Sequence, residues 1–205
     1  MEKGSTKREI LEAALELFSV QGFEATSISQ IAEAVGIRKA SLYSHFANKQ
    51  AILDALVDDV LEKYSAHSIF ANANWDNPEF TKNYEHITPD AAAQMICGQM
   101  RYIIRDEYIS RARKMLVIEQ FQNPQMAKLQ SKQNYSDVMQ YFTGLVRYLA
   151  KTGRLAGDDS ELLAAQLCLP ITVWIGVCDR EPERVDELVA LAERHILHFF
   201  ETYGR

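Results

Sequence analysis

Apolar residues recur at the period of an α-helix along nearly the whole chain, and this feature restricts the fold most. Between Thr6 and Val20, for example, Ile10, Ala14 and Phe18 fall four residues apart, with glutamates on the opposite side. Glycine, asparagine or proline interrupts the pattern at intervals, and no stretch alternates with the period of a β-strand. The sequence therefore predicts an all-α fold of about nine helices.

Capping residues and helix breakers set the expected boundaries. Gly22 and Gly36 end the first two helices, while Ser27 and Asn48 cap the second and the fourth. The later helices are expected at about 49–70, 90–104, 108–121, 126–149, 160–178 and 182–203. Between them, residues 71–89 contain four asparagines and two prolines. A connection of that length is usually functional, mobile or a domain boundary.

Net charge at first argues against a nucleic-acid binder, because the chain carries −6 at pH 7. Its distribution changes that interpretation. Residues 1–50 contain six Lys or Arg and six Glu, so they sum to zero, and the whole deficit lies in residues 51–205. The two parts of the chain are therefore electrostatically different, and only the second is acidic.

Three widely spaced cysteines, without a CxxC pair, indicate a reducing compartment rather than a disulfide framework. The polar first ten residues do not have the pattern of a signal peptide. These features predict a cytoplasmic protein. The apolar segment 162–178 is interrupted by polar residues and is short for a membrane span, so no membrane partner is expected.

Residues 22–49 have the pattern of a helix-turn-helix motif, in which two short helices are joined by a turn. Ala32 is small enough for a close helix crossing, and Gly36 tolerates the positive φ that the turn needs. Ile37 and Leu42 would anchor the second helix inward. Five residues would then face a DNA groove: Lys39, Ala40, Ser41, Tyr43 and His45.

The same segment contains Thr26-Ser27, Ile31-Ala32, Val35-Gly36-Ile37 and the run Ser41-Leu42-Tyr43-Ser44-His45-Phe46, followed by Asn48-Lys49. With these residues it closely resembles the DNA-binding domain of the TetR family of bacterial transcriptional regulators. The resemblance covers about residues 6–60. It implies a three-helix DNA-binding domain over 1–48, a linking helix at 49–70, and a ligand-binding and dimerisation domain within 49–205.

Roles in DNA binding follow from the resemblance. Ser27 would cap its helix and bind a phosphate through its hydroxyl and backbone N–H, while Tyr43 and Lys49 would clamp phosphates. Lys39 is the expected guanine contact, and Arg38 would serve either purpose. The residues expected to approach base edges are Ser29, Lys39, Ala40, Ser41 and His45.

One binding domain carries few cations, and a single copy would therefore bind DNA weakly. Two copies are needed on energetic grounds, and they would bind a pseudo-palindromic operator. The two C-terminal helices are apolar enough to form a homodimer interface, although an intrachain core is the alternative. The interface residues expected on these helices are Leu163, Leu167, Ile171, Ile175, Leu188, Ala192, Ile196 and Phe199.

The resemblance also implies that a small effector molecule releases the DNA. Methionine and aromatic side chains in the second domain would line an adaptable pocket, with a few polar groups to orient the ligand, although such residues at helical spacing also form ordinary cores. The expected ligand-binding residues are Met95, Gln99, Met100, Met115, Glu119, Tyr135, Met139, Phe142 and Trp174.

Other function classes have weaker support. No nucleophile elbow, phosphate loop or metal signature is present, so neither an enzyme nor a cofactor or metal site is expected. The remaining alternative is a ligand-independent DNA-binding adaptor that is regulated by a protein partner. Repression is the family's usual action, and the resemblance does not exclude activation.

Overall fold

A computed structural model describes the backbone of residues 3–205, with side chains described from Ser5 onward except that of His67. Within this range the chain is helical and contains no β-strand, only one isolated bridge between Leu155 and Gly204. The all-α prediction is confirmed. The helices are α1 (Lys3–Ala25), α2 (Ile28–Val35), α3 (Lys39–Tyr43), α4 (Lys49–His67), α5 (Pro78–Thr81), α6 (Pro89–Arg105), α7 (Glu107–Glu119), α8 (Pro124–Ser131), α9 (Asp137–Lys151), α10 (Ser160–Arg180) and α11 (Val185–Tyr203).

Two differences from the predicted helices have local causes. The connection expected at 71–89 contains the single-turn helix α5, because Asn77 caps it and Pro78 suits a first helical position. The long helix expected at 126–149 is divided into α8 and α9 by a π-helical turn at Lys132–Ser136. Such turns interrupt the i→i−4 hydrogen-bond pattern and leave no signature in hydrophobic periodicity.

The chain forms two compact units. Unit 1 contains the residues up to Ser68 together with Arg111–Gln130, and unit 2 contains Ile69–Ser110 and Ser131–Arg205. The predicted boundary after residue 48 therefore differs from the observed division. The reason is that α4 packs on α1 and buries Ile52, Leu53 and Leu56 in the same core.

The core of unit 1 is built where α1, α2 and α4 meet. Ile10 and Phe18 of α1, Ile31 of α2 and Leu42 of α3 are fully buried. Each lies on the apolar face that helical spacing predicts. Gly36 ends α2 with φ 73°, and its N–H donates to carbonyls of the preceding turn, so the predicted left-handed residue is confirmed.

The core of unit 2 is formed by α6, α9, α10 and α11. Pro170 lies inside α10 and has no N–H, so it cannot bond the Gln166 carbonyl four residues earlier. His195 of α11 lies 3.0 Å from that carbonyl through Nε2. Because a carbonyl only accepts, Nε2 carries the proton. The helix break created by Pro170 is thus satisfied by a neighbouring helix.

Among the described helices, α10 alone is long and apolar enough to cross a bilayer by length and composition. The core helices of soluble proteins meet the same criterion. Its buried face belongs to the core of unit 2, through Leu163, Leu167 and Ile171.

Candidate nucleic-acid interface

The α2 helix is held at its start by a reciprocal pair of hydrogen bonds. The Gln30 N–H donates to the Ser27 hydroxyl oxygen at 3.2 Å, and the Ser27 N–H donates to Gln30 Oε1 at 2.8 Å. This capping box confirms Ser27 as the helix cap. It also corrects the predicted phosphate contact, because the Ser27 backbone N–H is occupied and only the hydroxyl proton remains for a phosphate.

One side of α3 is polar and exposed, and the other side is anchored in the core by a buried residue. Leu42 is fully buried and anchors the helix to the core, as predicted. The side chains of Arg38, Lys39 and Ser41 are exposed, and Tyr43 is 46% exposed. Ser29 and Ala40 are exposed as well, while His45 is half-buried. The predicted DNA-contacting residues of α2 and α3 therefore lie at the surface of unit 1, except for His45, which is only half open.

Lys49 is occupied inside unit 1. Its Nζ donates to the carbonyl oxygens of Phe23 at 2.6 Å and Thr26 at 2.9 Å, and to that of Glu24 at 3.3 Å. The ammonium also lies 4.2 Å from the centre of the Phe23 ring. An ammonium has three donors, and all three are used. This geometry contradicts the prediction that Lys49 clamps a phosphate, because its side chain instead caps the end of α1.

The end of α1 is bent at Gly22, which has φ 81°. After the bend, the Phe23 N–H donates to Glu119 Oε1 at 2.7 Å. The Thr26 hydroxyl donates to the Gly22 carbonyl at 2.7 Å. The turn that leads into α2 is therefore held by α7 from one side and by Lys49 from the other.

The nine residues predicted to bind a ligand are divided between the two units. Met115 and Glu119 belong to unit 1, and the other seven belong to unit 2. Glu119 contacts the Phe23 backbone and is only 6% exposed, and Met115 is fully buried. In unit 2, Met100, Met139 and Phe142 are core residues, Met95 and Trp174 pack against the core, Gln99 is half-buried and Tyr135 is exposed.

Seven of the eight residues predicted for the dimer interface are buried within their own protomer. They are Leu163, Leu167, Ile171, Leu188, Ala192, Ile196 and Phe199, and the eighth, Ile175, is half-buried. That set is wrong as a surface, because it forms the contact of α10 and α11 with the core of unit 2. The intrachain alternative describes these side chains correctly.

The opposite face of α10 is apolar and only partly covered by the protomer. Leu162 is 55% exposed and Val173 is 63% exposed, and Ala165, Leu169 and Gly176 lie between or beyond them at helical spacing and are half-buried. Sequence periodicity missed this face because α10 is apolar on all sides, so spacing could not distinguish the two stripes.

An aromatic cluster in unit 2 was also missed. Trp75 lies between Phe80, Tyr84, Tyr141 and Tyr148, with ring centres 4.9 to 6.2 Å away. Its Nε1 is buried and has no hydrogen-bond partner among the described residues. Trp75 is in the asparagine-rich connection, where no helical periodicity indicates which side chains turn inward.

The comparisons with known proteins agree with this architecture. Residues 10–56 match the family model for bacterial regulatory proteins of the tetR family. The HTH-type transcriptional repressor KstR2 of Rhodococcus jostii is 38% identical over 66 residues, which are 30% of this chain and 32% of that protein. Residues 10–56 of this chain therefore carry the N-terminal domain of the TetR family. The family consists of transcription regulators rather than enzymes.

Solved structures extend the likeness in fold to the whole chain. A putative TetR-family regulator from Mesorhizobium loti has a TM-score of 0.65 at 19% identity, with 100% of both chains covered. A complex of triclosan with SmeT, a repressor from Stenotrophomonas maltophilia, has a TM-score of 0.63 at 19% identity, covering 98% of this chain and 92% of that one. The family model thus matches residues 10–56, while the likeness in fold covers both units.

Proposed function

We propose that this protein is a TetR-family transcriptional repressor that acts in the cytoplasm, binds a pseudo-palindromic operator as a homodimer, and is released by a small apolar or amphipathic molecule. The observation that carries the DNA-binding part is the face of α3. Arg38, Lys39, Ser41 and Tyr43 are exposed there, on a helix anchored by the buried Leu42.

The roles of these residues follow from their chemistry. Lys39 and Arg38, at the start of α3, match the O6 and N7 acceptors of guanine, and the Ala40 methyl suits a thymine methyl. The hydroxyl groups of Ser27 and Tyr43 would bind phosphates and orient the domain without reading sequence. Lys39 is exposed at the start of α3, so its ammonium is accessible to DNA.

The test is selection of bound sequences from a library of randomised duplex DNA. We expect two inverted copies of one half-site, centred roughly 10 base pairs or a multiple of that apart. Lys39→Met should lose about tenfold or more in affinity and relax preference at one position of each half-site, since a good base contact contributes ~1–3 kcal/mol. The control is Lys128→Met, an exposed lysine of α8. Failure to enrich any sequence would overturn the proposal.

The partly covered apolar face of α10 supports the homodimer. Leu162 and Val173 are exposed, and the half-buried Ala165 and Leu169 lie between them on the same stripe, so burying this stripe against a second copy removes apolar surface from water. The interface proposed here is therefore this stripe and not the residues packed in the core.

Analytical ultracentrifugation tests the interface. Val173→Glu should produce monomers at micromolar concentration, because two copies of the charge would face each other across an apolar contact. The matched control is Val20→Glu, at a site that is 78% exposed in unit 1. A Val173→Glu protein that stays as dimeric as the control would exclude this stripe.

The Trp75 cluster supports a ligand with an aromatic or apolar body and a hydrogen-bond acceptor. A buried indole N–H without an acceptor costs about 1–3 kcal/mol, and a ligand acceptor would remove that cost. SmeT, which shares the fold, forms a complex with triclosan. Triclosan, a chlorinated diaryl ether with a hydroxyl group, is therefore a suitable first probe.

Fluorescence of a Trp174→Phe protein, in which Trp75 is the single tryptophan, measures binding at this cluster. We expect a panel of aromatic ethers, phenols and ketones, including triclosan, to contain compounds that shift Trp75 emission and weaken operator binding in the same concentration range. Compounds that shift the emission and leave operator affinity unchanged would contradict ligand-driven release. The ligand must bind the two DNA-binding states with different affinity to have any effect.

A further inference from the structure

The backbone of Phe23 is held on both sides of its Cα by side chains of opposite charge. Its N–H donates to Glu119 Oε1 at 2.7 Å, and its carbonyl accepts from Lys49 Nζ at 2.6 Å. Glu119 is the last residue of α7, Lys49 is the first of α4, and Phe23 lies in the last turn of α1. All three belong to unit 1, so one residue of backbone connects three helices.

Because Glu119 is buried, its carboxylate depends on the hydrogen bond from the Phe23 N–H. The side chain is only 6% exposed, and a carboxylate withdrawn from water is tolerated where hydrogen bonds replace its hydration. The contact is made to backbone, so it depends on the path of the chain and not on the side chain at position 23. Charge-assisted bonds of this kind are about twice as strong as neutral ones.

Gly22 provides the space for this approach. A Cβ added there would lie 3.1 Å from Glu119 Oε1 and 3.2 Å from Ile118 Cγ2, and the φ of 81° disfavours any other residue. The bend therefore does two things at once: it turns the Phe23 N–H out of the helix, and it lets the end of α7 come close enough to accept from it.

The same turn determines where the helix-turn-helix begins. Thr26 is fixed through its hydroxyl to the Gly22 carbonyl and through its own carbonyl to Lys49. The next residue, Ser27, caps α2. A shift of Phe23 would therefore be passed directly to the start of α2, and from there to α3.

We infer that Glu119 is a positioning residue for DNA binding. Through the Phe23 amide it sets the turn between α1 and α2, and so presets the orientation in which α2 and α3 meet the operator. This inference rests on the proposed DNA-binding function. It assigns to the end of α7 the role of orienting α2 and α3 for DNA binding. Glu119 touches no DNA; its effect is transmitted through Phe23.

The experiment compares Glu119→Ala, Glu119→Gln and the control Glu16→Ala, an exposed carboxylate on α1. Each full-length protein is titrated with its selected operator and with operators whose half-site spacing is changed by one base pair either way. Conditions are chosen so that urea unfolding shows each variant to be fully folded. Hydrogen exchange of the Phe23 amide is measured on the same samples.

Glu119→Ala is expected to bind the selected operator about tenfold more weakly, because the orientation of α2 and α3 must then be fixed on binding. Its preference for one spacing should fall to within about threefold, and its Phe23 amide should exchange faster. Gln retains an acceptor, so Glu119→Gln should keep the spacing preference and most of the affinity. A merely stabilising role for Glu119 would leave the spacing preference unchanged.

The outcomes distinguish a failure of the DNA-binding function from a failure of the positioning role of Glu119. If the wild type enriches no operator, DNA binding itself fails. If the wild type binds and both Glu119 variants match Glu16→Ala in affinity and spacing preference, the positioning role is overturned. Should Glu119→Ala be unfolded, Glu119→Leu, which fills the site but has no acceptor, takes its place. Faster exchange of its Phe23 amide with a lost spacing preference supports the inference, and faster exchange with an unchanged spacing preference refutes it.

Discussion

From the contacts of Lys49 we predict that its side chain stabilises unit 1 and does not bind a DNA phosphate. Its ammonium donates to three carbonyl oxygens at the end of α1 and lies over the Phe23 ring. Hydrogen bonds to a charged group contribute ~1.5–3 kcal/mol, and a partly exposed cation–π contact adds ~0.5–1 kcal/mol. Because the three bonds share one half-exposed cation, the total is well below their sum. We expect Lys49→Met to destabilise unit 1 by about 2–3 kcal/mol.

Urea unfolding followed by far-UV circular dichroism measures this loss. Tryptophan fluorescence does not report it directly, because Trp75 and Trp174 both lie in unit 2. The matched control is Lys39→Met, which removes the same charge from an exposed position of α3. We expect that change to leave the free energy of unfolding within about 0.5 kcal/mol of wild type.

The salt dependence of operator binding tests whether Lys49 contacts a phosphate. Each phosphate contact adds about 0.9 to the slope of log K against log salt concentration, so a lysine that contacts one phosphate per half-site contributes roughly 2 in a dimer. Lys49→Met should keep the wild-type slope, measured where the protein is folded. A stable Lys49→Met protein whose slope falls by about 2 would refute the internal role and restore the phosphate contact.

Three further predictions test the packing of each unit. Gly144→Ala should destabilise unit 2 by about 1–3 kcal/mol and shift Trp75 emission to the red in a Trp174→Phe background, because the added methyl would overlap the Trp75 ring; unchanged emission would refute the packing. Ser27→Ala should cost ~1 kcal/mol in urea unfolding through loss of the capping box, and a neutral result would count against that box. The Cys168 thiol, whose pKa burial raises to about 12, should resist iodoacetamide at pH 8 until urea unfolds the protein; rapid alkylation of the folded protein would contradict its burial.

Sequence alone determined the parts of this protein that are specified locally. The all-α class follows from apolar spacing, and the helix-turn-helix follows from residues close together in the chain: the Ser27 cap, the Gly36 turn and the Leu42 anchor. Capping, positive φ and amphipathic spacing act over a few residues, so they can be recognised before the fold is known. The exposed positions Arg38 and Lys39 follow from the same short-range pattern.

Tertiary structure alone decided how groups distant in the chain are paired. Lys49 has the spacing of a phosphate contact, yet its ammonium donates to carbonyls 23 to 26 residues earlier in the chain. Glu119 accepts from a backbone N–H 96 residues earlier. On α10 both faces are apolar, and only packing against α9 and α11 shows that Leu167 is internal while Val173 is open. Periodicity reports which residues share a face. Which surface packs against that face depends on the free energy of the whole folded chain, and a local sequence pattern does not report that free energy.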